Sequence, residues 1–382
     1  MSKAKALRRL VLALHLHLGL WLGVLFALLG ITGSALVFYL EIDRAINPAM
    51  KVVSAQMPSQ SVDAIYAALK KTQPERMGAW RIEMPLTDAT PIMARYYEPI
   101  ETAGSKFAPL MLSLDPNTLA VTSERFWGQY AMTWVYDLHY TLLLDETGHN
   151  LVGVLGLLFL VSLLTGLYLW WPSAKRWPRA ALPLVRSGNV LRTYDIHVVS
   201  GIYAWIVILV LAVTGAMLAF PNVTQRIFGH SSHAPQNLPV IRGLVERGEQ
   251  TLNLDEAVRI AQRQFPSAEV RWVETSGSDG RPISVRLYQD AEPGRRFSKT
   301  YVGIHPVTGH VLFAQDPLNA ALGARALAWV HPLHNGEAFG MFGRLLTCVV
   351  GFIPLVLLVT GLIRWRQKEI AIQKSNSMSR YQ

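Results

Sequence analysis

The chain has 382 residues, 51% hydrophobic and 16% charged, with a formal net charge of +10. A soluble chain carries nearer a quarter charged residues, so lipid is indicated first, and basic residues at helix ends speak for membrane orientation over nucleic acid. The single cysteine, Cys348, excludes an internal disulfide, a Cys-ligated iron–sulfur cluster and a CxxCH haem attachment.

In chain order, residues 1–40 hold the first apolar stretch, Leu10–Leu40. It is too long for a signal peptide and no A-x-A site follows, so it reads as a retained span. Residues 41–126 form a long segment. SVDAIYAALKKTQPE at 61–75 has helical periodicity there, followed by alternating strand-like stretches and the turn LDPNTLAV at 114–121. Residues 127–171 contain the second span, Leu151–Trp171, after an amphipathic lead-in, Phe126–Leu143. A short basic loop, 172–191, leads to the third span, Ile196–Phe220, within 192–220. The second long segment, 221–328, carries the helical NLDEAVRIAQRQFPSAEV at 253–270, strand-like ISVRLYQ and KTYVGI, and the turn HPVTGHV at 305–311. Residues 329–366 complete a lead-in, Leu322–Leu333, and the fourth span, Leu345–Trp365; a tail, 367–382, follows. About 20 apolar residues cross the hydrocarbon layer, so all four stretches are long enough.

Lys3, Lys5, Arg8 and Arg9 precede the first span. Lys175, Arg176, Arg179, Arg186 and Arg192 fill the loop between the second and third. Arg364, Arg366, Lys368 and Lys374 follow the fourth. Both termini and the short loop are therefore expected on the cytoplasmic side, with the two long segments opposite. Trp170, Trp171 and Trp365 sit where interfacial anchors sit.

A Thr-Gly pair recurs near the end of each span: Thr32-Gly33, Thr165-Gly166, Thr214-Gly215 and Thr360-Gly361. Small residues let helices pack closely, which accounts for the pairs by itself. They also serve as a ruler. His15 and His197 each lie 18 residues before the glycine of their span, and His139 and His334 each lie 27 before theirs. Spans one and three match, as do two and four. The expectation is an α-helical membrane protein of four spans, built by duplicating a two-helix unit, with an α+β domain in each half.

The register places one histidine pair at each side of the membrane. Ionisable residues at such depth are costly and usually functional. Two neutral imidazoles from facing helices can hold one haem iron axially, which suits electron transfer. Gly19 and Gly201, one turn after His15 and His197, leave room for a flat porphyrin. Zinc fits less well, since neither level offers a Cys or a transmembrane acid. His17, His149 and His331 are secondary ligand candidates. Arg344 occupies the position of His149 in the other half and could pair with a propionate. His230, His233, His305 and His310 are expected at the surface, with His230 and His233 able to touch a substrate.

HLHLGLWLGVLFALLGITG, LHYTLLLDETGHNLVGVLGLLFLVSLLTGLYLWWP, IHVVSGIYAWIVILVLAVTG and LHNGEAFGMFGRLLTCVVGFIPLVLLVTG together resemble the PepSY-associated transmembrane helix family of bacterial inner-membrane proteins. The turns LDPNTLAV and HPVTGHV resemble those of PepSY modules. Length and layout are most similar to the ferric-siderophore reductases of the FoxB type. That resemblance implies two b-type haems on His15, His197, His139 and His334, and reduction of a hydroxamate-chelated Fe(III) in the periplasm. Two positions depart from the pattern. His149 stands where a GR motif has arginine, and Leu119 stands where the turn has glycine, which implies a degenerate first module.

The expected activity is a di-haem inner-membrane reductase of ferric siderophore that releases Fe(II). No Gly-rich dinucleotide fingerprint follows a strand, so a quinol or a cytoplasmic reductant must supply the electrons. Two other classes compete: a non-enzymatic PepSY module regulating a periplasmic peptidase, and a siderophore or metal transporter. The first gives the histidine register no role. The second lacks acidic residues within the spans.

Overall fold

A computed structural model describes residues 3–52, 60–87, 90–172, 186–229, 251–278 and 280–378. Lys175, Arg176, Arg179, His230 and His233 lie outside the described residues. In chain order the elements are α1 (Lys3–Val37), α2 (Tyr39–Ile46), α3 (Val62–Thr72), β1 (Trp80–Glu83), β2 (Ile92–Tyr96), β3 (Leu110–Leu114) and β4 (Val121–Phe126). There follow α4 (Ala131–Thr141), α5 (Asp145–Trp170), α6 (Asn189–Ala219), α7 (Pro221–Phe228) and α8 (Leu254–Gln264). The chain continues through β5 (Glu269–Glu274), β6 (Ile283–Tyr288), β7 (Thr300–Ile304), β8 (Val311–Gln315), α9 (Leu322–His334), α10 (Gly340–Val350) and α11 (Ile353–Met378). They form two compact units.

The helical unit comprises residues 1–38, 135–221 and 333–382. Among the described residues, four helical stretches are long and apolar enough to cross a membrane: α1, α5, α6, and residues 337–378, which include α10 and α11. Each packs on two neighbours: α1 on α5 and α11, α6 on α5 and α11. The fourth stretch is not one continuous helix as the sequence suggests. Pro354 has no N–H to give to the preceding turn, and the path breaks between α10 and α11. The Phe352 N–H moves to the Val349 carbonyl, which frees that of Cys348. The Ser34 hydroxyl of α1 donates to it at 2.8 Å. The backbones of Gly30 and Gly351 approach so closely that a Cβ on Gly30 would sit 2.3 Å from the Gly351 carbonyl oxygen. The Cys348 carbonyl at the break thus finds its donor inside the protein, as lipid favours.

The turn from α4 into α5 uses left-handed backbone at Leu142 (φ 50°), Leu143 (φ 61°) and Asp145 (φ 50°). The corresponding turn after α9 uses Gly336 (φ 78°) and Gly340 (φ 58°). Non-glycine residues in this region cost roughly 1–2 kcal/mol each.

The second unit, residues 39–134 and 222–332, is built on one antiparallel sheet of order β4-β3-β2-β1-β5-β6-β7-β8. The two long segments therefore share a sheet, joined where Ile82 of β1 pairs with Val273 of β5. The order reads alike outward from this pair. Alternation sends Ile82, Ala94, Leu112, Val273, Val285 and Val302 to one face, where they form a core with Ile65 and Leu69 of α3 and Ala257 and Ala261 of α8. The helices cap one another. Asp255 accepts from the Val62 N–H at 2.8 Å, and Asp63 accepts from the Leu254 and Asp255 N–H groups at 2.9 and 3.0 Å. Ser61 and Asn253 add local caps.

The two turns match as well. Asp115 Oδ1 accepts from the N–H groups of Asn117 and Thr118, and His305 Nδ1 from those of Val307 and Thr308. Leu119, the departure noted in the sequence, adopts φ 57° where Gly309 adopts 72°. The turn is made in spite of its side chain, which packs against the core.

Candidate functional site: two histidine pairs

Histidine at helical register only puts a ring on one face of one span. In the structure the rings meet across helices. His15 of α1 and His197 of α6 have ring centres 6.4 Å apart. His139 of α4 and His334 of α9 have theirs 6.2 Å apart. The two groupings are those expected from the register.

Each ring is seated on the Thr-Gly pair of another helix. His15 Nδ1 lies 3.2 Å from Thr165 Oγ1 and 3.1 Å from the Ser162 carbonyl oxygen. His139 Nδ1 lies 3.1 Å from Thr32 Oγ1 and 3.0 Å from the Leu29 carbonyl. His334 Nδ1 lies 3.0 Å from Thr214 Oγ1 and 3.1 Å from the Leu211 carbonyl. His197 Nδ1 lies 2.9 Å from Thr360 Oγ1. All four Thr-Gly pairs are used, one per histidine.

Proton accounting fixes the tautomer. Each threonine hydroxyl has its own hydrogen committed to the carbonyl four residues back: Leu28, Val161, Val210 or Val356. Its oxygen therefore accepts, as the carbonyls must, and every Nδ1 carries the proton. Each Nε2 keeps its lone pair and makes no hydrogen bond among the described residues. This is the state in which a neutral imidazole binds a metal, oriented by the bond at its other nitrogen.

At three of the four seats the glycine leaves the ring its room, while at Gly361 a Cβ would make only an ordinary contact. A Cβ on Gly33, Gly166 or Gly215 would lie 2.9, 3.1 or 3.0 Å from Cε1 of His139, His15 or His334; at Gly361 the distance to His197 is 3.6 Å. The sequence shows these pairs only as packing motifs. Their service to the histidines is the feature it missed, and the coincidence of four Thr-Gly pairs with four registered histidines was the signal available.

The pairs fit a group that brings its own equatorial ligands. Ring centres 6.4 and 6.2 Å apart leave room for one metal ion that would be held by a nitrogen of each ring at about 2 Å. Among the described residues no cluster of three His, Cys, Asp or Glu forms, so no protein-only metal cage is built there. Gly19 has open space where a Cβ would stand. His15 and Thr32 lie seventeen residues apart on α1, so the two pairs are separated by about 26 Å along that helix.

The secondary candidates lie elsewhere. His17 is exposed on α1. His149 stacks on Tyr140, ring centres 4.4 Å apart, with Nδ1 buried and without a partner. His331 packs on Phe297 at 4.5 Å. Arg344 donates to the Val37 carbonyl at 2.8 Å and lies over the Phe38 ring. His310 is exposed, whereas His305 holds its turn.

No curated protein matches the chain. The profile of the PepSY-associated TM region matches residues 12–368, nearly the whole length. With four helices able to cross a membrane and a match of this extent, the protein is a membrane protein belonging to the PepSY-associated TM region family.

Proposed function

We propose that this protein is a di-haem reductase of the bacterial inner membrane, of the FoxB type, that reduces a ferric siderophore in the periplasm and releases Fe(II). The carrying observation is the paired imidazoles at two levels, each with Nδ1 within hydrogen-bond distance of a Thr-Gly seat that can only accept, which leaves the Nε2 lone pair for a metal. His15 with His197 and His139 with His334 would hold one b-type haem each.

Bound haem would supply one-electron exchange between a quinol or cytoplasmic donor and the ferric chelate. The chain's part is to orient the ligands and keep both sites at fixed separation in a low-dielectric bundle, where ligand type and burial set potential. Oxygen chelators hold hard Fe(III) better than Fe(II), so reduction loosens the metal without destroying the chelator. Basic residues before α1 and after α11 favour cytoplasmic termini and a periplasmic sheet unit. The matched strand order, turns and reciprocal caps favour two PepSY-like halves that arose by duplication.

The test is a pyridine haemochrome assay with reduced-minus-oxidised spectra on the full chain purified after expression with ample haem. Two b-type haems per chain are expected, falling to one in His15→Ala and in His139→Ala. A colourless wild-type protein rejects the proposal.

A further inference from the structure

The sheet face opposite the α3/α8 core carries an alternating row of cations and rings. The Arg95 guanidinium lies 5.9 Å from the Tyr97 ring centre, and Arg81 lies 5.3 Å from the same ring and 4.3 Å from Trp272. Arg286 lies 3.6 Å from Trp272 and 4.5 Å from Tyr301. Guanidinium–ring contacts within about 6 Å are attractive. They hold the arginines in place without neutralising them.

The charges are poorly balanced. Arg81 and Arg95 stand directly opposite one another in the β1/β2 register, an arrangement that disfavours folding. Glu274 serves Arg81 at 2.6 Å. Among the described residues, Arg95 and Arg286 have ring contacts but no ion pair or hydrogen bond, and the Nε atom of each is buried without an acceptor. Burial, then the Arg81 charge, hold Arg286 down at about 9, with the Glu274 and Glu83 carboxylates opposing from beyond ion-pair distance. Lys299 adds a further cation beside Arg286, while the Glu292 carboxylate is taken up by the N–H groups of Gln289 and Lys299 and the Thr300 hydroxyl. A guanidinium kept this way is a fork of donors shaped for planar oxygen anions.

We propose that this face binds the ferric chelate through Arg95 and Arg286, and that the chelate is anionic, of the catecholate kind, not a tris-hydroxamate. A hydroxamate carries a single negative charge, so three of them cancel the charge of Fe(III). A catecholate carries two, which leaves the complex negative and matches the unpaired arginines. The assignment rests on the siderophore-reductase proposal for its ligand class and departs from the hydroxamate expected from resemblance.

The experiment uses gallium(III), which does not change oxidation state under these conditions, so that binding is read apart from electron transfer. The full chain in detergent is titrated with a Ga(III) tris-catecholate and with a Ga(III) tris-hydroxamate, followed by tryptophan fluorescence and calorimetry. The catecholate complex is expected to bind at least tenfold more tightly. Arg286→Met and Arg95→Met should each weaken it about tenfold, with Arg286→Lys intermediate, given a charge-assisted bond in each. Haem spectra of the variants should equal the wild type, which reports an intact fold. Equal or tighter binding of the hydroxamate, no binding of either complex, or catecholate binding unaffected in both methionine variants overturns the proposal. A haem-free protein that still prefers the catecholate sinks the reductase and leaves the anion site standing.

Discussion

Replacing Thr214 by valine removes one acceptor and little else. The threonine hydroxyl donates to the Val210 carbonyl at 2.7 Å and presents only lone pairs to His334 Nδ1, 3.0 Å away. Valine keeps the branched shape. The Leu211 carbonyl remains 3.1 Å from Nδ1, so the ring keeps one of its two acceptors and its tautomer. Losing the outer partner of a metal-bound histidine costs between tenfold and a hundredfold in affinity; with half the seat retained, about tenfold is expected. That equals about 1.4 kcal/mol, the order of one buried hydrogen bond. In the proposed di-haem protein, if the loss falls on the ferric form alone, the potential of one haem rises by about 60 mV. The measurement is a haem titration of the full chain in detergent, followed by a potentiometric titration resolving both haems. Thr214→Ser restores the oxygen and should restore both values. Wild-type affinity and potential in Thr214→Val, or a serine variant as impaired as the valine, would refute the seat as a functional element. Equal shifts at both haems would point instead to general loosening of the bundle.

Two further outcomes are expected in the sheet unit. Asp63→Ala leaves the first N–H groups of α8 without their partner across the sheet unit and should lower stability by about 1 kcal/mol, seen as a shifted midpoint in urea with Trp80, fully buried in the core, as reporter; an unchanged midpoint contradicts the reciprocal cap. Lys299 is held at about 8 by burial and by Arg286, with Glu292 opposing. Its unfolded-state value is near 10.5. Between these values the unfolded chain binds more protons, so stability rises with pH across that window, and the penalty is fully present below pH 8. Lys299→Met removes it. The shift itself corresponds to a ceiling of about 3 kcal/mol, and because the side chain keeps some solvent contact a gain of about 1–2 kcal/mol at pH 7 is expected. Thermal melts should show that gain shrinking by pH 10; a gain independent of pH speaks against the buried ammonium as its source.

Much was legible in the chain itself. A span is a local property, since twenty apolar residues have only one way to satisfy their backbone in lipid, and so all four spans could be placed. The helices α3 and α8 follow from their caps and periodicity, with Ser61 and Asn253 at the expected starts. That His15 and His197 share one depth, and His139 and His334 another, follows from a shared register because equal spacing on equivalent helices gives equal depth; that their rings meet is a contact of the tertiary structure. The fourth span went differently: Pro354 is visible, but its break depends on Ser34 and Gly30 of α1 being there to take the freed carbonyl and the close approach.

What tertiary structure alone decided is which surfaces meet. Nothing in the spacing of Thr-Gly pairs says that each receives a ring from another helix, because helical periodicity fixes a residue's face and depth but not its neighbour. The merging of two segments into one sheet through Ile82 and Val273 is likewise a choice between exposed edges, and a lone strand sequence carries no mark of its partner. The row of arginines and rings follows from that choice: Arg81 and Trp272 sit far apart in the chain and become neighbours only once β1 and β5 have paired. Local chemistry set the pieces and their depth, and long-range packing supplied the contacts that make the rings and cations into sites.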